Sequence, residues 1–384
     1  MGILPAEKTW CNIIARGPEA RVTSNAGLDF FTAFGGSAND FMVKHLVSEC
    51  QRRREMRTKP VYYLAEKALG DSPEFRDFRP QYPNLQWIDD YRTFRRENLL
   101  REKECVLFAL KRGVWLKPFH CYENKAYTYL SLDVAEGCLF DCVYCYLQTY
   151  LNHGALVLFV NLRNLEAELR QRNERNLWIS TGLLSDSLLA ESYFPVLPRI
   201  SKWIPEGSVM ELRSKSSDLT SLVDPDIRRE GIVVSWSLNP KRVASLYEYG
   251  AASLEERLQA ARQALDLGYR IAFHFDPVFY FEGWQELYSD LFLQISQFPK
   301  ERTAFLSLGL FRFMPDLGAV IRKRFPFHEI LTQEFFPDAD GKYHYFRGIR
   351  KEMYRAFSNW LKPWKETVPV FWSMEPDSRL LPGL

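Results

Sequence analysis

Residues 127–148 read YTYLSLDVAEGCLFDCVYCYLQ, and the order of their parts decides the fold. The first part, alternating and rich in aromatic and aliphatic residues, predicts a β-strand. Three cysteines follow it at once, Cys138, Cys142 and Cys145, at CxxxCxxC spacing. A loop this short wraps three thiolates around one face of an iron–sulfur cubane, and three ligands for four irons leave one iron open. A structural zinc site asks instead for a fourth Cys or His, usually as a second CxxC-like pair, and none follows Cys145 closely. Three unliganded core thiols are the remaining alternative. The spacing therefore predicts a [4Fe-4S] cluster held by Cys138, Cys142 and Cys145, placed directly after a strand.

Outward from this stretch the pattern is regular. Short β-rich runs, ALVLFVN (155–161), NLWIST (176–181), VMELRSK (209–215), GIVVSWSLN (231–239), YRIAFHFDPV (269–278) and AFLSLGLF (304–311), alternate with helical or loop segments. The segment LEERLQAARQALDLG (254–268) has helical apolar spacing and a glycine stop. Strands alternating with helices imply parallel βαβ units, so residues 127–326 are expected to form a partial (α/β)6 TIM-type barrel. Upstream, residues 1–126 are expected to be an N-terminal α/β extension. It contains a basic helix after residue 34, the runs PVYYL (60–64), ECVLFAL (104–110) and GVWLKPF (113–119), and a charged helical stretch at 91–104. Residues 327–384 change pattern again, to a β-hairpin at 329–348 with Asp340-Gly341 in its turn, then a helix.

Composition bounds the class. The chain has 384 residues, 46% hydrophobic and 26% charged, which is the balance of a globular protein rather than a disordered one. No run of about 18 apolar residues occurs and the N-terminus lacks the form of a secretory signal, so no membrane association and a cytoplasmic location are expected. Seven cysteines, three of them crowded together, do not look like a disulfide framework and fit a reducing compartment. With 50 Lys+Arg against 48 Asp+Glu, global charge does not mark a dedicated nucleic-acid scaffold. Two local clusters, Arg52, Arg53, Arg54 and Arg57, and Arg347, Arg350, Lys351 and Arg355, either line a phosphate path or are solvated helix faces.

The open iron has a chemical use. S-adenosylmethionine can chelate it through its amino and carboxylate groups, and one electron from the reduced cluster then releases a 5′-deoxyadenosyl radical, chemistry that belongs to the cofactor while the protein orients it. An aromatic before the third cysteine, here Tyr144, is also found in radical S-adenosylmethionine enzymes, where it covers the cluster or adenine. Within that superfamily the chain resembles the spore photoproduct lyase family. CVYCYLQT (142–149) carries the sharpest part of the likeness. PVYYLAEKAL, ECVLFALKRGVWLKPF and the run from WSLNPKRV to FEGWQELY extend it over most of residues 60–355. The resemblance implies a partial barrel with the cluster at its open end, paired strands before the core, and cleavage of a methylene-bridged thymine dimer in DNA. It implies cofactor roles for Ser185, Lys215 and Ser237. On their own terms Lys215 suits the cofactor carboxylate, whereas the serines either touch the cofactor or cap strands.

One departure stands against these agreements. The family carries a hydrogen-donor cysteine ahead of a Ser-Asp pair, and here the corresponding run is NLWISTGLLSDS, with Leu183 in the cysteine's place. Leucine has no comparably weak bond to hydrogen, so the family's last step cannot proceed in the same way. The other thiols, Cys11, Cys50, Cys105 and Cys121, are either substitutes or small buried hydrophobes. Tyr146 matches a tyrosine that the family places between cofactor and substrate; it is either a hydrogen-atom relay or part of an aromatic wall. GKYHYFRGIRKEMYR (341–355) resembles the family's lesion-extruding hairpin, with Phe346 and Arg347 in reversed order and Arg350, Lys351 and Arg355 beyond them. A hairpin packed on the barrel has the same sequence. A non-enzymatic iron–sulfur or zinc module would leave the open iron without use, and two enzymatic functions stand beside it: a radical enzyme acting on DNA, or the same scaffold acting on a small molecule or peptide. Both need an electron donor such as flavodoxin or ferredoxin.

Overall fold

The computed structural model describes residues 62–93, 103–119, 126–172, 174–326 and 328–381. The basic helix with Arg52, Arg53, Arg54 and Arg57, the thiols of Cys11, Cys50 and Cys121, and most of the helix expected at 91–104 lie outside the described residues. In chain order the strands are β1 (Tyr62–Glu66), β2 (Gln86–Ile88), β3 (Cys105–Ala109), β4 (Leu116–Pro118), β5 (Thr128–Leu132), β6 (Ala135–Glu136), β7 (Asp141–Cys142), β8 (Leu156–Phe159) and β9 (Leu177–Thr181). There follow β10 (Val209–Ser214), β11 (Ile232–Ser237), β12 (Glu248–Tyr249), β13 (Arg270–Val278), β14 (Thr303–Leu310), β15 (Arg312–Phe313), β16 (Phe335–Pro337), β17 (Tyr343–Tyr345) and β18 (Val370–Trp372).

The main sheet has the order β18-β14-β13-β11-β10-β9-β5-β4 and is curled into part of a barrel. Six of its strands, β5, β9, β10, β11, β13 and β14, are the expected parallel series. β18 extends the series in parallel and β4 closes the other edge antiparallel. Helices cover the outer face, so the strands are buried on both sides: every residue of β9, β11 and β14 is buried. Side-chain alternation then divides each strand. Ile179, Met210, Leu212, Val234, Trp236 and Phe273 join the large core beneath the helices, while Trp178, Val233, Ala272 and Phe305 form a smaller cluster inside the barrel. The helix Leu254–Asp266 is set by a capping box, Ser253 with Glu256, and buries Leu254, Leu258, Ala261 and Ala264.

Two expectations are corrected. The run 155–161 is not a barrel strand: β8 pairs in parallel with β3 in a second sheet of order β2-β1-β3-β8-β6. Nor do the runs at 104–110 and 113–119 pair with each other, since β3 lies in the second sheet and β4 pairs with β5. The two sheets exchange strands along the chain, so the cluster loop between β5 and β8 is held from both. At the far end β16 and β17 form the expected hairpin, joined by β15, with Gly341 at φ +77° in the turn. The helix Arg347–Lys365 follows, its Phe357 packing on Trp284 and Trp360.

Candidate functional site

The cysteine loop is held by its backbone. Gly137 has φ +80°, and a Cβ there would stand 1.9 Å from the Ala155 carbonyl oxygen, so only glycine fits before Cys138. Its N–H donates to the Leu184 carbonyl at 2.7 Å, fixing the loop to the end of β9. Lys103, buried, reaches in with Nζ to donate to the carbonyls of Cys138 (2.6 Å) and Phe140 (2.8 Å). Cys142 lies in β7, which pairs antiparallel with β12 and sets Cys142 opposite Glu248. Arg324 grips the other side: it binds both oxygens of Asp141 at 2.8 and 2.9 Å and donates to Gln148 Oε1. Gln148 in turn donates to the carbonyls of Cys142 and Val143 at 3.2 and 3.0 Å.

Cys138 and Cys142 are buried and Cys145 is half-buried. Burial pushes the Cys138 thiol up to about 12. It raises Cys142 as well, with the nearby Lys215 ammonium acting in the opposite sense. Such thiols give up their protons to a cationic centre rather than to water. Among the described residues no three His, Cys, Asp or Glu side chains converge tightly enough to share one metal ion.

Three further residues named from sequence stand at the C-terminal ends of neighbouring parallel strands: Ser185 after β9, Lys215 after β10, and Ser237 closing β11. Openings at such ends are where α/β barrels place their chemistry. Lys215 Nζ lies 5.7 Å from the centre of the Tyr144 ring. Tyr144 is buried, and its phenol donates to Glu248, which leaves its ring edge and face as the parts available to a neighbour. Ser237 is buried and Ser185 half-buried. Asp186 joins the first two strand ends: its carboxylate accepts from Ser214 Oγ (2.6 Å), the Lys215 N–H (2.6 Å) and the Leu189 N–H (3.0 Å), the last as the N-cap of helix Ser187–Tyr193. The Ser-Asp-Ser run before a helical segment was the available sequence signal for this cap.

Below these ends the barrel interior is polar. Glu211, fully buried, accepts from His274 Nε2 (2.6 Å), Ser235 Oγ (2.9 Å), Ser180 Oγ (3.1 Å) and Trp178 Nε1 (3.2 Å), with Arg213 at 3.3 Å. Burial alone would raise its carboxyl; Arg213 and His274 outweigh burial and hold it below the usual carboxylate range. Burial lowers His274 to about 4, so the imidazole is neutral at pH 7. Above them Asp276 binds Arg312 at 3.1 Å. A Cβ on Gly309 would come within 2.8 Å of the Asp276 carboxylate, so glycine makes room for that pair. Ionisable residues inside otherwise apolar strands, Glu211 in VMELRS and His274 in RIAFHFDPV, are the sequence signal for this polar interior.

Leu183 lies just past Gly182, whose φ is +80°. The phenol of Tyr146 donates to the Leu183 carbonyl, and the Tyr146 side chain is about half exposed, beside Tyr150. At the hairpin, Phe346 is exposed and its ring centre lies 5.7 Å from that of the equally exposed Phe336. Arg347 is exposed and pairs with Asp377 at 3.1 Å. Arg350 is a correction: it is buried, bound to Glu375 at 2.6 Å and Asp338 at 2.8 Å, and so is a structural ion pair instead of a phosphate contact. Lys351 and Arg355 are exposed on the same helix, one turn apart.

A family model described as spore photoproduct lyase matches residues 113–360. The spore photoproduct lyase of Clostridium acetobutylicum is 25% identical over 322 residues, spanning 77% of this chain and 93% of that protein. That of a Geobacillus species is 27% identical over 237 residues, 59% of this chain and 68% of its own. Among solved structures, a spore photoproduct lyase complexed with dinucleoside spore photoproduct superposes with a TM-score of 0.71 at 18% identity, covering 82% of this chain and 99% of that one. A variant lyase with bound AdoMet and the same dinucleoside gives 0.70 at 20% identity, covering 82% and 98%. Among the described residues no helix is long and apolar enough to cross a membrane. With the family model covering well over half of its length, the chain belongs to the spore photoproduct lyase family, lyases of the radical S-adenosylmethionine class.

Proposed function

We propose that Cys138, Cys142 and Cys145 hold a [4Fe-4S] cluster, that Lys215, Ser185 and Ser237 with Tyr144 bind S-adenosylmethionine beside it, and that the substrate is a thymine lesion in DNA. The observation that carries this is a pinned loop whose three thiols lie within electrostatic reach of one another, with Lys215, at the end of β10, near Cys142. Three thiols spread along a pinned loop suit a cluster in which each takes its own iron. When bound, the cluster supplies one electron to S-adenosylmethionine and so gives a 5′-deoxyadenosyl radical. The chain's own work is to bind and orient. Lys215 offers a positive charge to the cofactor carboxylate, Tyr144 walls the cluster side, and Tyr146 stands at the mouth as a hydrogen-atom relay. An acidic low-potential protein such as flavodoxin or ferredoxin is the electron donor. Phe336 and Phe346 are an exposed aromatic pair suited to unstacked bases, with Lys351 and Arg355 for phosphates.

Leu183 favours a second reading, a small-molecule or peptide substrate on the same scaffold, because leucine in the donor's place in the sequence offers no thiol hydrogen to quench a thymine radical. One experiment separates the two. The anaerobically reconstituted, reduced protein is incubated with S-adenosylmethionine and oligonucleotides with and without the methylene-bridged lesion, while lesion loss and 5′-deoxyadenosine are followed. Lesion-dependent loss supports the DNA reading. Cofactor cleavage without lesion loss moves the small-substrate reading to first place.

A further inference from the structure

We infer that the buried Glu248–Arg257 ion pair is the positioning element that sets Tyr144, Lys215 and Ser237 relative to one another, and thereby sets the affinity for S-adenosylmethionine. The inference rests on the assignment of cluster and cofactor proposed above. Both side chains are fully buried, with Arg257 Nη2 2.5 Å from Glu248 Oε2. Bonds run from this pair directly to Tyr144 and Ser237, and through Ala252 to Lys215. The Tyr144 phenol donates to Glu248 Oε1. Arg257 Nη1 donates to the Ser237 carbonyl at 2.8 Å. Arg257 Nε donates to the Ala252 carbonyl at 2.9 Å, and the Ala252 N–H donates to the Lys215 carbonyl at 3.0 Å. Glu248 is also tied through its backbone to Cys142. Asn239 completes the carboxylate's shell, donating to Oε1 at 3.0 Å while accepting from the Tyr288 phenol at 2.8 Å.

A buried ion pair is a weak source of stability, because desolvation offsets most of the attraction and a well-packed apolar pair does as well. What it supplies here is direction. A guanidinium is a rigid planar fork, and this one reaches a carboxylate and two carbonyls drawn from the end of β11 and the 248–252 stretch. No apolar pair makes directed contacts to the residue opposite a cluster-loop cysteine, to the end of β11 and, through Ala252, to the end of β10. Neither residue lies in the cysteine motif.

The test uses the full chain, reconstituted anaerobically, as wild type, Tyr144→Phe, Glu248→Gln, and the double variant. Iron content, the dissociation constant for S-adenosylmethionine, and the electron paramagnetic resonance spectrum of the reduced cluster with saturating S-adenosylmethionine are measured. Each single variant is expected to keep its iron, weaken cofactor binding about five-fold and shift the cofactor-bound spectrum. The double variant is expected to weaken binding little beyond either single, as for residues acting through one contact. A merely structural pair would lower thermal stability and leave affinity and spectrum where they were, and that result overturns the inference. Should Glu248→Gln fail to hold iron, Tyr144→Phe alone decides, since it removes one oxygen and no charge. Wild-type protein that binds neither iron nor S-adenosylmethionine sinks the underlying assignment, whereas wild-type binding unmoved in the variants sinks only the positioning role.

Discussion

The Tyr146 phenol donates to the main-chain carbonyl of Leu183, joining the residue after the last cysteine of the loop to the residue that stands where the family has its hydrogen donor. Because the acceptor is a backbone oxygen, side-chain changes at position 183 leave the contact in place. Turnover of a lesion-bearing oligonucleotide is therefore expected to be unchanged within about two-fold in Leu183→Met, and Leu183→Cys is expected to raise the share of correctly quenched product. If Tyr146 relays a hydrogen atom as proposed, Tyr146→Phe is expected to lower product formation by at least about ten-fold with S-adenosylmethionine affinity little changed. A large loss in Leu183→Met would mean that its shape contacts substrate, and that position 183 differs from the family in more than a missing thiol.

Wild-type protein reconstituted under anaerobic conditions is expected to carry about four irons per chain, the content of one cubane. Cys138→Ala, Cys142→Ala and Cys145→Ala are each expected to lose the cluster and with it cofactor cleavage, measured as iron and as 5′-deoxyadenosine. Full iron in the triple variant would refute the ligand assignment.

The fold was legible where local pattern and tertiary use agree. The parallel strands from β9 to β14 are short apolar runs between helical segments, and the capping box at Ser253 marks a helix start within a few residues. That Cys138, Cys142 and Cys145 share one short loop was legible because their spacing sets it. β8 was misplaced because a buried parallel strand looks alike in either sheet, and only the non-local pairing of Leu156–Phe159 with Val106–Ala109 assigns it. Arg350 was misread for a related reason: whether a cation faces water or Glu375 depends on a partner 25 residues away. Glu248 and Arg257 left no signal, as an acid in a short connecting strand and a base on a helix read as solvated surface until packing removes the water.

Glu191 sets a pH dependence that can be measured apart from the active site. It is buried, with backbone N–H donors from Val196 (3.1 Å) and Leu197 (3.3 Å), and burial raises its carboxyl to about 8. The unfolded chain ionises this group near its ordinary 4.5, so between about pH 4.5 and 8 the native state holds the extra proton. Stability from this group is full below 4.5 and is lost as pH rises through 8. Glu191→Gln keeps an oxygen for both N–H groups and cannot ionise. It is expected to match wild type at pH 5 and exceed it at pH 8 by on the order of 1–3 kcal/mol, read from urea midpoints at both pH values. Equal midpoints at pH 8 would show that Glu191 is ionised in the fold.

Nucleic-acid binding divides the hairpin residues into three groups with separable signatures. Lys351 and Arg355 are exposed on one helix face, so replacing both by Ala is expected to weaken duplex binding by a similar factor for every sequence and to flatten the salt dependence by about one unit of slope per lost contact. Phe346→Ala and Phe336→Ala remove an exposed aromatic pair. They are expected to keep electrostatic binding and lose the preference for lesion-bearing over intact duplex, because stacking contributes only where bases are already unstacked. Arg350→Ala is expected to behave as neither. It leaves Glu375 buried without its cation and lowers folding stability by about 3 kcal/mol, with the salt slope unchanged. Fluorescence-anisotropy titrations at several salt concentrations, paired with urea unfolding, resolve all three. If the wild-type protein shows no salt-dependent DNA affinity at low ionic strength, the hairpin is a packing element of the barrel and the small-substrate reading takes its place.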